Sequence, residues 1–433
     1  MIFPLPERLA SARDCRQSVA KPTSMRISLF VLLYLGVSFD LHAADAEIGH
    51  RYPSEKCTLV DRVTGRPLVA LTTGPSNDMK NYQTHPQWAA DGVNIIFRSE
   101  DRNAAKTSQA YAVNEITGDI VQLTEGPDVA TGSLNVARLS NRLYYVRGKP
   151  EAGAQRLIEL ELTPLLADSA AGTLKSASVY ERVVATLPAT HRDAGGFTLD
   201  ADERTAYFGV RYAEGPPREA GKPIPQVPSG ITAVDLATGA YRKVIDTPFL
   251  MGHVQASPWV PGEILYCNET GGDAPQRMWI VRDDGTGNRP LFPEQPSDWV
   301  THEVFVDRDT VFFNLMGHTP ELRRRPTGIM SINLRNGEVL PIGQTARGQG
   351  FWHCNATPDG RWALGDNFEG EVFLIDRHSG EIRLISTGHV MKPDHTHPNF
   401  SPDGHRILVQ SGLLTGGKSL DLMVIPLPEN LVE

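Results

Sequence analysis

The residues of this chain best suited to chemistry are histidines. Seven of its thirteen, His85, His191, His253, His302, His353, His395 and His397, recur at one position of a repeating unit, whereas His42, His50, His318, His378, His389 and His405 do not. The fullest copy of that unit is His395-Thr396-His397-Pro398-Asn399-Phe400-Ser401-Pro402-Asp403-Gly404. Histidines spaced i, i+2 on an extended strand present both imidazoles to one face, and imidazole is the commonest protein ligand for borderline transition metals. His395 and His397 can therefore chelate from one strand, with His353 from a neighbouring unit, leaving positions open for an anionic oxygen ligand. His302, one unit further back, is placed as a proton acceptor. Arg277 opens a strand and can pair with a carboxylate, and Lys392 and Arg211 can add positive charge. Plainer readings stand beside these. A single histidine at a strand start is more often a turn or hydrogen-bonding residue, Arg277 alone reads as a surface ion pair, and His85 and His191 can simply line a channel. Trp88, Trp279, Trp352 and Trp362 read as packing.

The elements that must position these groups follow from a second pattern. Asp-Gly turns follow several of the histidines (Asp91-Gly92, Asp359-Gly360, Asp403-Gly404), with residues suited to turn geometry. Thr64-Gly65, Thr117-Gly118, Thr238-Gly239, Asn336-Gly337 and Ser379-Gly380 each precede an alternating strand, and most follow an apolar strand ending in an acidic residue. Turn-separated short strands at about 45 residues per unit are the signature of four-stranded propeller blades. The chain opens on an orphan strand at 64–72, and its last unit lacks one. The expectation is an all-β, seven-bladed β-propeller whose N-terminal strand closes the last blade and leaves no open edge. A two-sheet sandwich or a solenoid is the alternative. First strands line the channel of a propeller, so the seven histidines should converge on one mouth. The insertions at 165–178 and 213–228 are expected at the rim where ligands bind.

The 433 residues carry a formal charge of −9, which argues against a nucleic-acid binder. Met25-Arg26, the apolar run to Phe39, and Ala43-Ala44 read as a secretory signal. Residues 1–44 are then an extension and signal peptide, 45–433 a single propeller domain, and the location periplasmic or secreted. No membrane span is expected in the mature chain, and a closed ring predicts a monomer. Cys57, Cys267 and Cys354 form neither a disulfide framework nor a metal knuckle and read as small buried residues.

Gly252-His253, Arg277-Met278-Trp279-Ile280, Asp283-Asp284-Gly285-Thr286, Thr301-His302-Glu303, His353, and His395-Thr396-His397-Pro398 with Phe400 together resemble the oligogalacturonate lyases, seven-bladed propeller enzymes acting on pectin fragments. The resemblance implies a divalent metal, manganese in that family, held by three histidines and a glutamine. The histidines correspond to His353, His395 and His397. Lys392 stands at the glutamine's place, so water or Asp394 is considered for the fourth position. The resemblance also implies His302 as base and Arg277 as its support. His253, Arg211, Lys392 and His85 are the candidates for contact with an acidic oligosaccharide. The implied reaction is β-elimination: the C5 proton of a uronate is removed, and the C4 substituent leaves behind a conjugated double bond. A propeller that only binds, a metal-dependent hydrolase and a lyase for another acidic sugar are the competing readings.

Overall fold

The turn signatures close hairpins, and the aspartates and asparagines before them explain why. Asp61, Asn114, Asp235, Asn333 and Asp376 each end a strand or follow one and accept backbone N–H bonds from the two residues of the coming turn. These Asx-type bonds hold the chain in place while a glycine takes positive φ, for example Gly118 at 78° and Gly239 at 72°. The computed structural model describes residues 13–14, 48–149, 155–219 and 222–428. Cys15 and the expected signal at 25–44 lie outside the described residues.

The strands form seven small antiparallel sheets in a ring, a seven-bladed β-propeller. The innermost strands, in order, are Asp78–Lys80, Val129–Val136, Asp193–Leu199, Met251–Ala256, Val300–Phe305, Cys354–Ala356 and Asn399–Phe400. The last blade is closed as predicted: Pro67–Ala70 pairs with Asp421–Pro426, with Val69 opposite Val424 and Ala70 opposite Met423. Cys57–Val60 adds outside it, and Arg13–Asp14 runs parallel to Cys57–Thr58.

The core lies between blades rather than within one. Phe312 and Ile329 of the fifth blade, for instance, pack on Phe351, Cys354 and Ile375 of the sixth. Burying each such large side chain contributes about 1.5–3 kcal/mol, so neighbouring blades depend on one another. Cys267 and Cys354 are free and buried, as expected.

The insertion at 165–178 does not reach the histidines. Inner strands begin at the histidine mouth, so the link from third to fourth strand lies on the far face. Leu162–Ala171 is a helix in that link, and its Leu162 and Leu165 pack with Ile48 and Tyr180. The segment at 213–228 links second to third strand and does lie on the histidine side. It is tied to the fourth blade through Ile224 N–H to Thr270 O and Gln226 to Glu269 O. Among the described residues no helix is long and apolar enough to cross a membrane.

Candidate functional site

Irregular inner strands aim the site residues. Pairing slips between Gly252 and Gln255 in the fourth blade and between Thr301 and Val304 in the fifth. The extra residues include His253 and His302, both with positive φ (48° and 54°), and His397 joins them at 45°. Bulges re-aim side chains, and non-glycine residues hold such backbone only where the surroundings impose it. The third blade places Gly195 and Gly196 in its own slip. A Cβ on Gly195 would meet the Gly252 backbone at 2.6 Å, so a glycine there lets the fourth blade seat His253.

His353, His395 and His397 come together as predicted, with one ring nitrogen of each within 4.8 Å of the others. Ring centroids are 4.2 Å apart for His353 and His397, and 5.8 Å for His353 and His395. His353 is fully buried, with Nδ1 3.0 Å from both oxygens of Asp366. Its Nε2 is buried without a hydrogen-bond partner. His397 has the mirrored arrangement: Nε2 is 3.3 Å from Asp394 Oδ1, and Nδ1 is buried and unpartnered. Each ring thus carries a carboxylate on one nitrogen and an orphaned lone pair on the other, the usual dressing of metal-ligating histidine. Burial pushes His397 down to about 3 and lowers His395, which keeps both neutral and able to ligate. The residues fit a divalent transition metal.

His395 fits less simply. Trp352 Nε1 donates to its Nδ1 at 2.8 Å. Indole only donates, so the neutral imidazole then carries its proton on Nε2. His395 becomes a ligand by giving up that bond. Trp352 is therefore a wall of the site rather than blade packing: its ring also lies 4.5 Å from His302. Trp88 and Trp362 are buried packing residues, as expected.

His302 is 8% exposed and lies 4.3 Å, ring to ring, from His353. Burial, reinforced by His353 and His253, holds its pKa well below the ordinary histidine value. Its Nδ1 is 2.8 Å from the Thr301 hydroxyl. Arg277 is buried, not on the surface, and its fork is partly used: Nε donates to Glu303 Oε2 at 2.8 Å, and Nη2 lies 3.3 Å from His253 Nδ1. Burial pushes the Glu303 carboxyl up, but Arg277 and His253 outweigh it and hold it far below the usual carboxylate range. His253, Cys267 and Glu303 have metal-like spacing. The Arg277 guanidinium already supplies the cation there.

The other expected contacts divide. His253 and His85 border the same cavity, of about 450 Å³. Both nitrogens of His85 are occupied, by Thr84 and by the Phe197 carbonyl, so it bridges the channel. Arg211 pairs with Glu214 at 3.3 Å and does not line the cavity. Lys392 is exposed and lies outside it. Asp394 is an outer partner, held by His397 on one oxygen and Gln410 on the other. Gln410 is itself fully engaged, donating also to the His395 carbonyl and accepting from Lys80 N–H. The sequence reading missed Asp366, and Tyr82, whose ring lies 5.1 Å from both His253 and His397. A second cavity, of about 380 Å³, sits at the far mouth among Trp88, Phe305 and Phe400.

No family model matches this chain, and no curated protein sequence matches it. Solved structures do. An oligogalacturonate lyase in complex with manganese matches with a TM-score of 0.72 at 21% identity, over 89% of this chain and 100% of that one. The oligogalacturonate lyase of Vibrio parahaemolyticus matches with a TM-score of 0.72 at 18% identity, over 88% and 99%. The WD40 repeats of RRP9 match with a TM-score of 0.53 at 10% identity, over 86% and 100%. At these identities the likeness is one of fold, and the fold of this chain is that of the oligogalacturonate lyases.

Proposed function

We propose that this chain is a metal-dependent lyase that cleaves uronate oligosaccharides, oligogalacturonate in the first instance, by β-elimination. One observation carries the reading: a buried neutral His302 stands against an imidazole cluster whose His353 Nε2 and His397 Nδ1 have no partner. Two solved lyases share the fold, and one is a manganese complex.

His353 and His397 would hold the ion, with His395 as third ligand. Bound there, a divalent metal supplies a Lewis acid that draws charge from the uronate carboxylate and acidifies the C5 proton. His302 takes that proton. With Nδ1–H donated to the Thr301 hydroxyl, Nε2 offers the lone pair. The C4–O bond breaks as the C4=C5 bond forms, and the departing oxygen leaves as a hydroxyl by taking up one proton from solvent, which then receives the proton that His302 removed. Arg277, fixed by Glu303, keeps positive charge behind His253. The leader read at 25–44 supports work outside the cytoplasm, and ring closure supports a monomer.

Absorbance of the conjugated double bond during incubation with digalacturonate tests the reading. The expected result is a rise that chelator abolishes, manganese restores and His302→Ala loses. A protein that retains metal but gives no rise on digalacturonate and does give one on an oligosaccharide of another uronate makes it a lyase of that sugar. No rise on any uronate sinks the lyase reading.

A further inference from the structure

The cavity beside the histidines is lined by a guanidinium that no carboxylate contacts. It runs from His397 and His253 across the first three blades. Arg98 lines it from the second strand of the first blade. Among the described residues Arg98 has no ion pair, and its one hydrogen-bond partner is the weak acceptor Met79 Sδ, at 3.9 Å. Arginine stays charged in proteins, so this guanidinium lines the pocket with no carboxylate in contact with it. Lys80 lies buried nearby, with Nζ tied to Asn81 O and Asn399 Oδ1.

The acids in the cavity are already engaged. Asp394 is held by His397 and Gln410, and Asp193 accepts from Gly196 N–H. Asp394, and less strongly Glu100, act on Arg98 only through space. Two neutral polar atoms facing this space are also orphaned: Nδ1 of His191, which is 4% exposed, and Oε1 of Gln155. Buried polar groups without partners are uncommon in a finished fold. An unpaired guanidinium with an orphaned acceptor and an orphaned imidazole nitrogen suits a hydroxylated carboxylate. The volume is within the range of small-molecule sites, and the wall it shares with the histidine cluster, at His397, makes the two sites continuous.

We infer that Arg98 anchors the carboxylate of a second acidic sugar, adjacent in the chain to the one that reacts at the histidine cluster. This rests on the lyase reading and deepens it by naming Arg98 as the residue that recognises the neighbouring carboxylate. A bidentate arginine–carboxylate contact is charge-assisted and directional, so losing it costs binding at a distance from the reacting atoms.

The test is calorimetric binding of galacturonate, digalacturonate, and the two digalacturonates methyl-esterified on one carboxylate, to metal-loaded wild type, Arg98→Met and Arg98→Lys. In wild type the diacid should bind at least about tenfold more tightly than the monomer and than either monoester. Arg98→Met should lose that advantage over the monomer while its affinity for galacturonate stays the same, and Arg98→Lys should keep part of it. The ester comparison needs no variant, so it decides the matter even if Arg98→Met folds poorly. A monoester that binds as well as the diacid, or an Arg98→Met that keeps the full advantage, overturns the inference while leaving the lyase reading standing. A wild type that binds no uronate overturns both.

Discussion

Asp366 holds His353 from behind. Both carboxylate oxygens lie 3.0 Å from His353 Nδ1, and the same carboxylate accepts the His353 backbone N–H at 2.8 Å and the Thr396 hydroxyl. Thr396 sits between His395 and His397, so one buried acid couples the sixth blade's ligand to the irregular segment, just before the strand Asn399–Phe400, that carries the other two. Burial alone would raise its pKa; His353 and Thr396 reverse the sign and keep it ionised.

Asp366→Asn should therefore loosen metal without touching a ligand. Outer partners of metal-binding histidines are typically worth 10–100-fold in affinity. Metal titration of the variant should give a loss in that range and a smaller gain in melting temperature on adding manganese. An unchanged affinity would remove Asp366 from the site.

Trp352 and a metal compete for His395. Trp352→Phe keeps the ring against His302 but deletes the N–H that occupies His395 Nδ1. Metal affinity in Trp352→Phe should hold or rise, whereas His395→Ala should lower it by an order of magnitude or more. If Trp352→Phe weakens binding as much as His395→Ala, the indole serves the metal site in another way, and the competition argument fails.

The contrast between Trp352 and the histidines shows what the sequence made legible. Blade order and closure rest on local chemistry, Asx residues and glycines at fixed offsets, so they could be read directly. The histidine cluster followed because every inner strand starts at one mouth. Trp352 was misread because a tryptophan in a blade looks the same whether it faces a neighbour or the channel. Asp366 carried a weak signal, an acid ending the otherwise apolar strand Trp362–Asp366, but other blade strands end in acids that only cap turns. The positive φ of His253, His302 and His397 had no signal, since nothing local demands it. The helix at Leu162–Ala171 was read as rim loop because its Ala/Ser-rich composition hid a short apolar face.

Arg277 and Glu303 should behave as one unit. They pair at 2.8 Å with side chains 4% and 0% exposed. Removing one partner of a buried pair leaves an uncompensated charge and costs about 3–5 kcal/mol. Arg277→Met should thus lower the denaturant midpoint as well as activity. The double variant Arg277→Met/Glu303→Gln should recover most of the stability and none of the activity. Recovery of activity in the double variant would show that Arg277 acts only as scaffolding for Glu303.

Acid should unfold the molecule before it titrates the base. His302 is held well below 6.5 by burial, so its neutral, proton-accepting form persists as the pH falls through the ordinary histidine range. Catalysis should not show the usual decline centred near 6.5. The fold faces a different limit. Burial lowers His85, His191 and His389 to about 4, so below 6.5 the unfolded chain binds protons that the folded chain refuses. Stability therefore falls with falling pH across the window from 6.5 to 4. Each histidine contributes up to about 1.4 kcal/mol per pH unit there; burial raises Glu294 to about 7 and Asp421 to about 8, and these carboxyls, protonated in the fold, offset part of that slope. Against a typical total of about 5–15 kcal/mol, the remaining slope takes a large share of the stability across the window. Activity and intrinsic fluorescence followed together from pH 7 to 4 should fall in one step, and His389→Gln should move that step to lower pH. Activity lost while fluorescence stays native would instead report titration of His302 itself, at a pKa that burial has failed to depress.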